Sequence, residues 1–245
     1  MAETIQLFAT CLVDSLFPEV GEAVVEVLSS VGVHVSVPSH QTCCGQPAFN
    51  AGYLGPARRM AKYTIEVLED TVGPVVIPSG SCAAMIRKGY LELFADDPEW
   101  LMRAQEIAGR TYEFSEFLVD RLRVTDLGAS YSGQLAYHPS CHTLRELGVD
   151  HQPLALLGEV AGAQIHPLEP VCCGFGGLFA VDQAEISTEI LARKLEQVAA
   201  SGAEVVVGCD VSCLMHIEGG LRYNSSTVRC AHVAQILAGR KAALR

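Results

Sequence analysis

The sequence predicts an α/β fold of two tandem duplicated halves, each a small parallel sheet with flanking helices. The first observation behind this is cysteine spacing. Cys11, the pair Cys43-Cys44 and Cys82 stand 32 and 38 residues apart; Cys141, the pair Cys172-Cys173 and Cys213 stand 31 and 40 apart. Glycine follows each pair, in TCCG (42–45) and VCCGFGG (171–177). Eight of the ten cysteines obey this one scheme, which chance rarely supplies twice, so the halves are read as 1–130 and 131–245. The second observation is that short apolar runs lead into the cysteines. The third is that segments of helical period separate those runs.

The elements follow in order. Ile5–Ala9 is the opening strand and runs straight into Cys11. Val20, Val24, Val27, Leu28 and Val31 recur at helical spacing, giving an amphipathic helix over 20–31. His34–Val37 reads as a strand leading to the first Cys-Cys-Gly, followed by a helix at about Gly55–Asp70 and a strand at Val75–Ile77. In the second half Gln134–Tyr137 repeats the opening strand, Ala184–Ala200 the helix, and Val205–Val207 the strand before GCDVSC. Cys230 is placed inside a helix over Val228–Leu237. Repeated strand–helix order argues a parallel sheet, whose post-strand loops share one edge and bring distant cysteines to one place.

Composition narrows the function. The chain carries 28 acids against 17 bases, net charge −11, with no basic cluster, which argues against nucleic acid. Hydrophobic residues make up 49%, enough for a substantial core, and charged residues only 18%, which suggests that a partner covers some surface. No basic leader with an apolar core opens the chain, and no apolar run reaches membrane length. A cytoplasmic protein is expected, in which ten reduced cysteines point to metal or redox chemistry rather than disulfides. There is no G-x-G-x-x-G after a strand, so no dinucleotide site is expected.

Four converging thiolates can hold a tetrahedral zinc or an iron–sulfur cluster. The spacing lacks the paired knuckles of compact zinc sites, and adjacent cysteines suit a larger polymetallic group. Two independent sites are expected, one per half: Cys11, Cys43, Cys44 and Cys82 in the first, and Cys141, Cys172, Cys173 and Cys213 in the second. Cys82 and Cys213 are expected to open helices, so that backbone N–H groups face an anionic cluster. Cys209 and Cys230 fall outside the scheme and read as buried small hydrophobes.

A lone cysteine, Cys-Cys-Gly about 30 residues on and a last cysteine about 40 further resemble the cysteine-rich CCG domain, which occurs twice in a subunit of heterodisulfide reductase and in the glycolate oxidase iron–sulfur subunit. The chain is most similar to the lactate utilization protein A family over nearly its whole length, through YHPSCH (137–142), VCCGFGG (171–177) and DVSCLMHI (210–217). The resemblance implies an iron–sulfur subunit of a lactate utilization complex, acting with a ferredoxin-like iron–sulfur subunit and a third subunit in oxidising L-lactate to pyruvate. The chain departs from the reductase motif, which ends in Cys-x-x-Cys: Ser79 and Asp210 stand where a fifth thiolate would be. An oxygen ligand there remains open beside the reading of both as helix caps, and ordinary [4Fe-4S] clusters need only four cysteines. A non-catalytic electron-transfer or scaffold subunit and a zinc-stabilised binding protein are the alternatives.

The halves differ in their histidines. His138 and His142 flank Cys141 and His216 follows Cys213, whereas the first half has Phe8, Leu12 and Met85. Imidazoles exchange protons near neutral pH, so His142, His138 and His216 are candidate proton carriers in the second half.

Overall fold

The computed structural model describes residues 3–239. The first half runs β1 (Thr4–Leu7), α1 (Cys11–Leu16), α2 (Pro18–Ser30), β2 (His34–Ser36), α3 (Gln46–Asn50), α4 (Leu54–Glu69), β3 (Val75–Ile77) and α5 (Gly80–Ala84). A wide π turn, Met85–Gly89, carries on to α6 (Tyr90–Leu93), then come α7 (Pro98–Gly109), β4 (Thr111–Glu113) and α8 (Phe114–Glu116). The second half runs β5 (Ser130–His138), a π turn His142–Glu146, α9 (His151–Gly158), β6 (Ala161–Pro167), α10 (Phe179–Asp182), α11 (Ala184–Ser201), β7 (Val205–Gly208), α12 (Val211–Tyr223), β8 (Arg229–His232) and α13 (Val233–Leu237).

Two four-stranded parallel sheets result, ordered β2-β1-β3-β4 and β6-β5-β7-β8. The repeat reaches the register: Leu7 pairs with Val76 as Tyr137 pairs with Val207. Central strand β3 is buried along its length, which is why Val75–Ile77 reads as an unbroken apolar run rather than an alternating one. The amphipathic stripe of α2 buries Val20, Val24, Val27 and Leu28.

One apolar core joins the halves, with Leu7, Val27, Phe114 and Phe117 packing in the same cluster as Leu135, Tyr137, Leu156 and Ile236. Polar contacts close the same junction. Ser79 and Asp210 form an isolated antiparallel bridge, and Gly80 N donates to Cys209 O at 3.3 Å. Cys230 is not in a helix: it lies on β8, and the helix begins only at Val233. His232 ends the strand and caps the helix at once, so no loop residue marks the boundary, and three consecutive buried residues, Cys230, Ala231 and His232, lack the alternation that distinguishes a strand from a helix.

Glu113 and His232 occupy equivalent places, each ending an edge strand and each forming a capping box. The buried Glu113 carboxylate accepts from Ser115 N at 2.7 Å and Glu116 N at 3.1 Å. Burial nevertheless raises its pKa from 4.5 to about 7. The folded protein therefore keeps a proton that the unfolded chain releases near pH 4.5, and this group's contribution to stability declines as pH rises from there to about 7. The loss amounts to about 3 kcal/mol by linkage. Glu113→Gln is expected to remove this component: its urea-unfolding free energy at pH 8, relative to pH 5, should exceed the wild-type difference by about that amount. Parallel pH profiles for the two proteins would contradict the assignment.

Candidate metal centre

The first thiol set is assembled by three loops at the carboxyl edge of the first sheet. Cys11 opens α1 after β1, Cys43 and Cys44 lie between β2 and α3, and Cys82 sits in α5. Cys44 Sγ donates to Cys82 Sγ at 3.4 Å. Cys43 is the natural thiolate: hydrogen bonds from the Cys11 and Cys44 thiols, with help from Gly45 N–H, lower its pKa to about 3. The same bonds push the Cys11 and Cys44 thiols up. The second set repeats this pattern: thiol hydrogen bonds from Cys141 and Cys173 lower Cys172 to about 2, and Gly174 N donates to Cys172 Sγ at 3.3 Å.

The glycine after each pair is a backbone requirement. Gly45 and Gly174 take φ of 89° and 94°, and a Cβ on Gly174 would lie 2.6 Å from Ser187 O.

Both sets face one cavity of about 290 Å³, lined by all eight of these cysteines together with polar side chains of Thr10, Gln46, Asn50 and His142. Four soft sulfur donors gathered per set fit zinc or an iron–sulfur centre. The sequence repeat locates both sites, but nothing in linear spacing says that they share a cavity.

The three histidines separate. His142 lines the cavity. His138 is 1% exposed, and its ring nitrogens have no hydrogen-bond partner. One of them lies within 4.8 Å of the Cys173 and Cys213 sulfurs, making a group able to hold a metal ion, and burial lowers its pKa to about 3. His216 lines a different groove, between α11 and α12, with Nε2 3.3 Å from Ser187 Oγ and its ring 5.8 Å from Phe175. Phe8 and Met85 are buried in the first half, whereas Leu12 lines the cavity.

Ser79 and Asp210 act as helix caps. Ser79 Oγ accepts from Cys82 N at 3.3 Å. Asp210, 1% exposed, accepts from Ser212 N at 3.0 Å through Oδ1, and from Ser81 N at 2.7 Å and Ser79 Oγ at 3.1 Å through Oδ2. Burial opposes its charge, but these donors outweigh burial and hold its pKa below the usual value. Cys209 and Cys230 are buried away from both sets, Cys209 against the hydroxyls of Ser115 and Tyr137.

Sequence reasoning misses Lys194, which is 0% exposed. Its Nζ donates to Glu169 O and Gln197 Oε1, both at 2.8 Å. The signal that could reveal it is its place on the buried stripe Ser187, Leu191, Lys194 and Val198 of α11.

Comparison with known proteins agrees with this layout. Residues 5–87 and 135–218 each match the CCG family, described as a cysteine-rich domain. The chain is 45% identical over 236 residues to a lactate utilization protein A of Exiguobacterium sp., covering 95% of this chain and 96% of that one. It is 46% identical to the protein of that name from Shouchella clausii, covering 95% and 98%, and 44% identical to that of Bacillus cereus, covering 96% and 99%. Among the described residues no helix is long and apolar enough to cross a membrane.

Proposed function

The chain belongs to the lactate utilization protein A family, a pair of CCG cysteine-rich domains in one polypeptide, and from that premise we propose that it is the iron–sulfur subunit of a redox complex oxidising L-lactate to pyruvate. The observation that carries this reading is the convergence of two four-cysteine sets on one cavity. Cys11, Cys43, Cys44 and Cys82 hold one [4Fe-4S] cluster, and Cys141, Cys172, Cys173 and Cys213 the other. Bound there, the two clusters would supply sites for the two electrons that conversion of a secondary alcohol to a ketone releases together with two protons.

The chain's own residues do the rest. His142 stands on the cavity wall and receives the substrate's hydroxyl proton, while the hydrogen on the carbinol carbon, its electrons gone to the clusters, leaves as a second proton to solvent. Thr10, Gln46 and Asn50 offer polar groups to orient a small hydroxy acid. His138 and His216 do not line that cavity, so the proton role is kept for His142. Electrons leave to a ferredoxin-like iron–sulfur subunit and a third subunit, in a cytoplasmic complex. The exposed Leu178, Val181 and Ile186, just beyond the second Cys-Cys-Gly, are suited to covering by such partners.

The test is anaerobic addition of L-lactate to the iron-loaded protein, alone and with the two other subunits. Bleaching of the cluster absorption is expected in the complex, slower in His142→Gln at unchanged iron content. A complex that lactate does not bleach, but that a reduced partner does, would leave only the electron-transfer role. One observation favours zinc as a second reading: two sulfurs on one tetrahedral zinc stand about 3.8 Å apart, near the 3.4 Å between Cys44 and Cys82. Zinc in place of iron after anaerobic reconstitution would select that reading.

A further inference from the structure

The duplicated sites are not electrically alike. Helix α11 and its counterpart α4 pack on the two Cys-Cys-Gly turns in the same way: a Cβ on Gly45 would meet Ala57 O and Met60 Cβ, and one on Gly174 would meet Ser187 O and Ile190 Cβ. The same 130-residue offset sets Thr64 against Lys194, both buried. A neutral hydroxyl in the first half thus corresponds to an ammonium in the second. Lys194 is tied to Glu169 O, in the segment leading to Cys172, and to Gln197, which leaves one of its three donors uncommitted. Burial lowers the pKa of Lys194 to about 8, while the nearby Cys173, Cys141, Cys213 and Cys172 act in the opposite direction and favour its charged form.

A second difference lies at the strand ends. Phe8, which follows the first strand, corresponds to His138. A neutral imidazole carries one N–H in either tautomer; the ring nitrogens of His138 have no hydrogen-bond partner, and one of them lies within 4.8 Å of the Cys173 and Cys213 sulfurs. In the first half the nearby hydroxyl of Tyr90 donates instead to the backbone oxygen of Cys44, at 2.9 Å. Asp210 does not cancel the difference, because its carboxylate accepts from amides at the starts of both α5 and α12 and bears on both sites.

Reduction adds negative charge to a cluster, so a buried cation and a nearby N–H group that no other acceptor uses favour the reduced state. We propose that Lys194 and His138 make the second cysteine set the centre of higher reduction potential, so that an electron reaching either site settles on the second. The proposal rests on the iron–sulfur reading above.

The test is a potentiometric titration of the anaerobically reconstituted full chain, followed by electron paramagnetic resonance, with iron counted in every sample. Two one-electron steps are expected, and Cys44→Ser, which keeps only the second site, identifies the higher one. Lys194→Met should lower that step by about tenfold in the reduced-to-oxidised ratio, or about 59 mV, and leave the lower step in place. Lys194→Arg, which keeps the charge, should stay near wild type. If Lys194→Met fails to hold iron at the second site, His138→Phe, which installs the first half's side chain, should lower the same step. Coincident midpoints in the wild type, a lower midpoint at the second site, or equal behaviour of the Met and Arg variants would overturn the proposal while leaving the iron–sulfur reading intact. A chain without iron would overturn both.

Discussion

Replacing Cys44 by serine is expected to leave the protein with about half of its metal. Cys44 is 2% exposed and joins its set from within, against Cys43 on one side and Cys82 on the other. A hydroxyl there is a harder, less acidic donor than a thiol, and a buried site offers no replacement ligand from solvent. The second set uses none of the same residues, so its iron and its absorption should persist. Metal binding that ties together several loops contributes to folding free energy. The variant should therefore lose part of the metal's protection against denaturant, together with hydrogen-exchange protection in the loops carrying Cys11, Cys43 and Cys82. The shared cavity makes the alternative concrete: loss of all metal from Cys44→Ser would mean that eight thiols hold one joint centre.

Asp210→Ala is expected to destabilise the whole protein by about 3–5 kcal/mol, with Asp210→Asn costing less. The carboxylate accepts from Ser81 N, Ser212 N and Ser79 Oγ, in a place closed to water. Alanine leaves those donors unpaired at the starts of the two helices that carry Cys82 and Cys213. Because its folded pKa lies below the ordinary value, the charge persists through neutral pH. The stabilisation it brings is present above the unfolded pKa and fades only as pH falls through the folded one. Urea unfolding of the metal-free proteins isolates this effect from ligand loss. A cost under about 1 kcal/mol would show that the junction holds without the carboxylate.

The parts legible in sequence are those with periodic or repeated signatures. Matched spacing locates all eight cysteines, and the apolar runs at Val75–Ile77 and Val205–Val207 mark the strands that deliver two of them. Ser79 and Asp210 are readable as caps because serine and aspartate before a helix satisfy its free N–H groups. The α7–β4 region carries no repeat signature, and β8 reads as helix because it is short and passes into α13 without a loop. Lys194 escapes notice because a lysine in an amphipathic helix ordinarily faces water. His216 groups with His138 and His142 by proximity to cysteines in the chain, but α12 turns it towards another groove. The common cavity depends on how the halves dock, and docking is written in a core shared between distant segments rather than in any local pattern.

The bridge between Ser79 and Asp210 joins two residues that occupy the same place in the repeat, 131 positions apart like Cys82 and Cys213. Equivalent residues meet each other only on a symmetry axis, as in a homodimer whose subunits share one self-complementary face. Separate copies of a half could put only like against like there. Two aspartates would set two carboxylates against each other out of water, and two serines would leave the paired helix starts without a charged acceptor. A serine facing an aspartate needs two copies that differ at this place, which a single chain carrying both provides. Tandem linkage thus frees each position on the axis from its twin, so that a contact once bound to be identical on both sides can specialise.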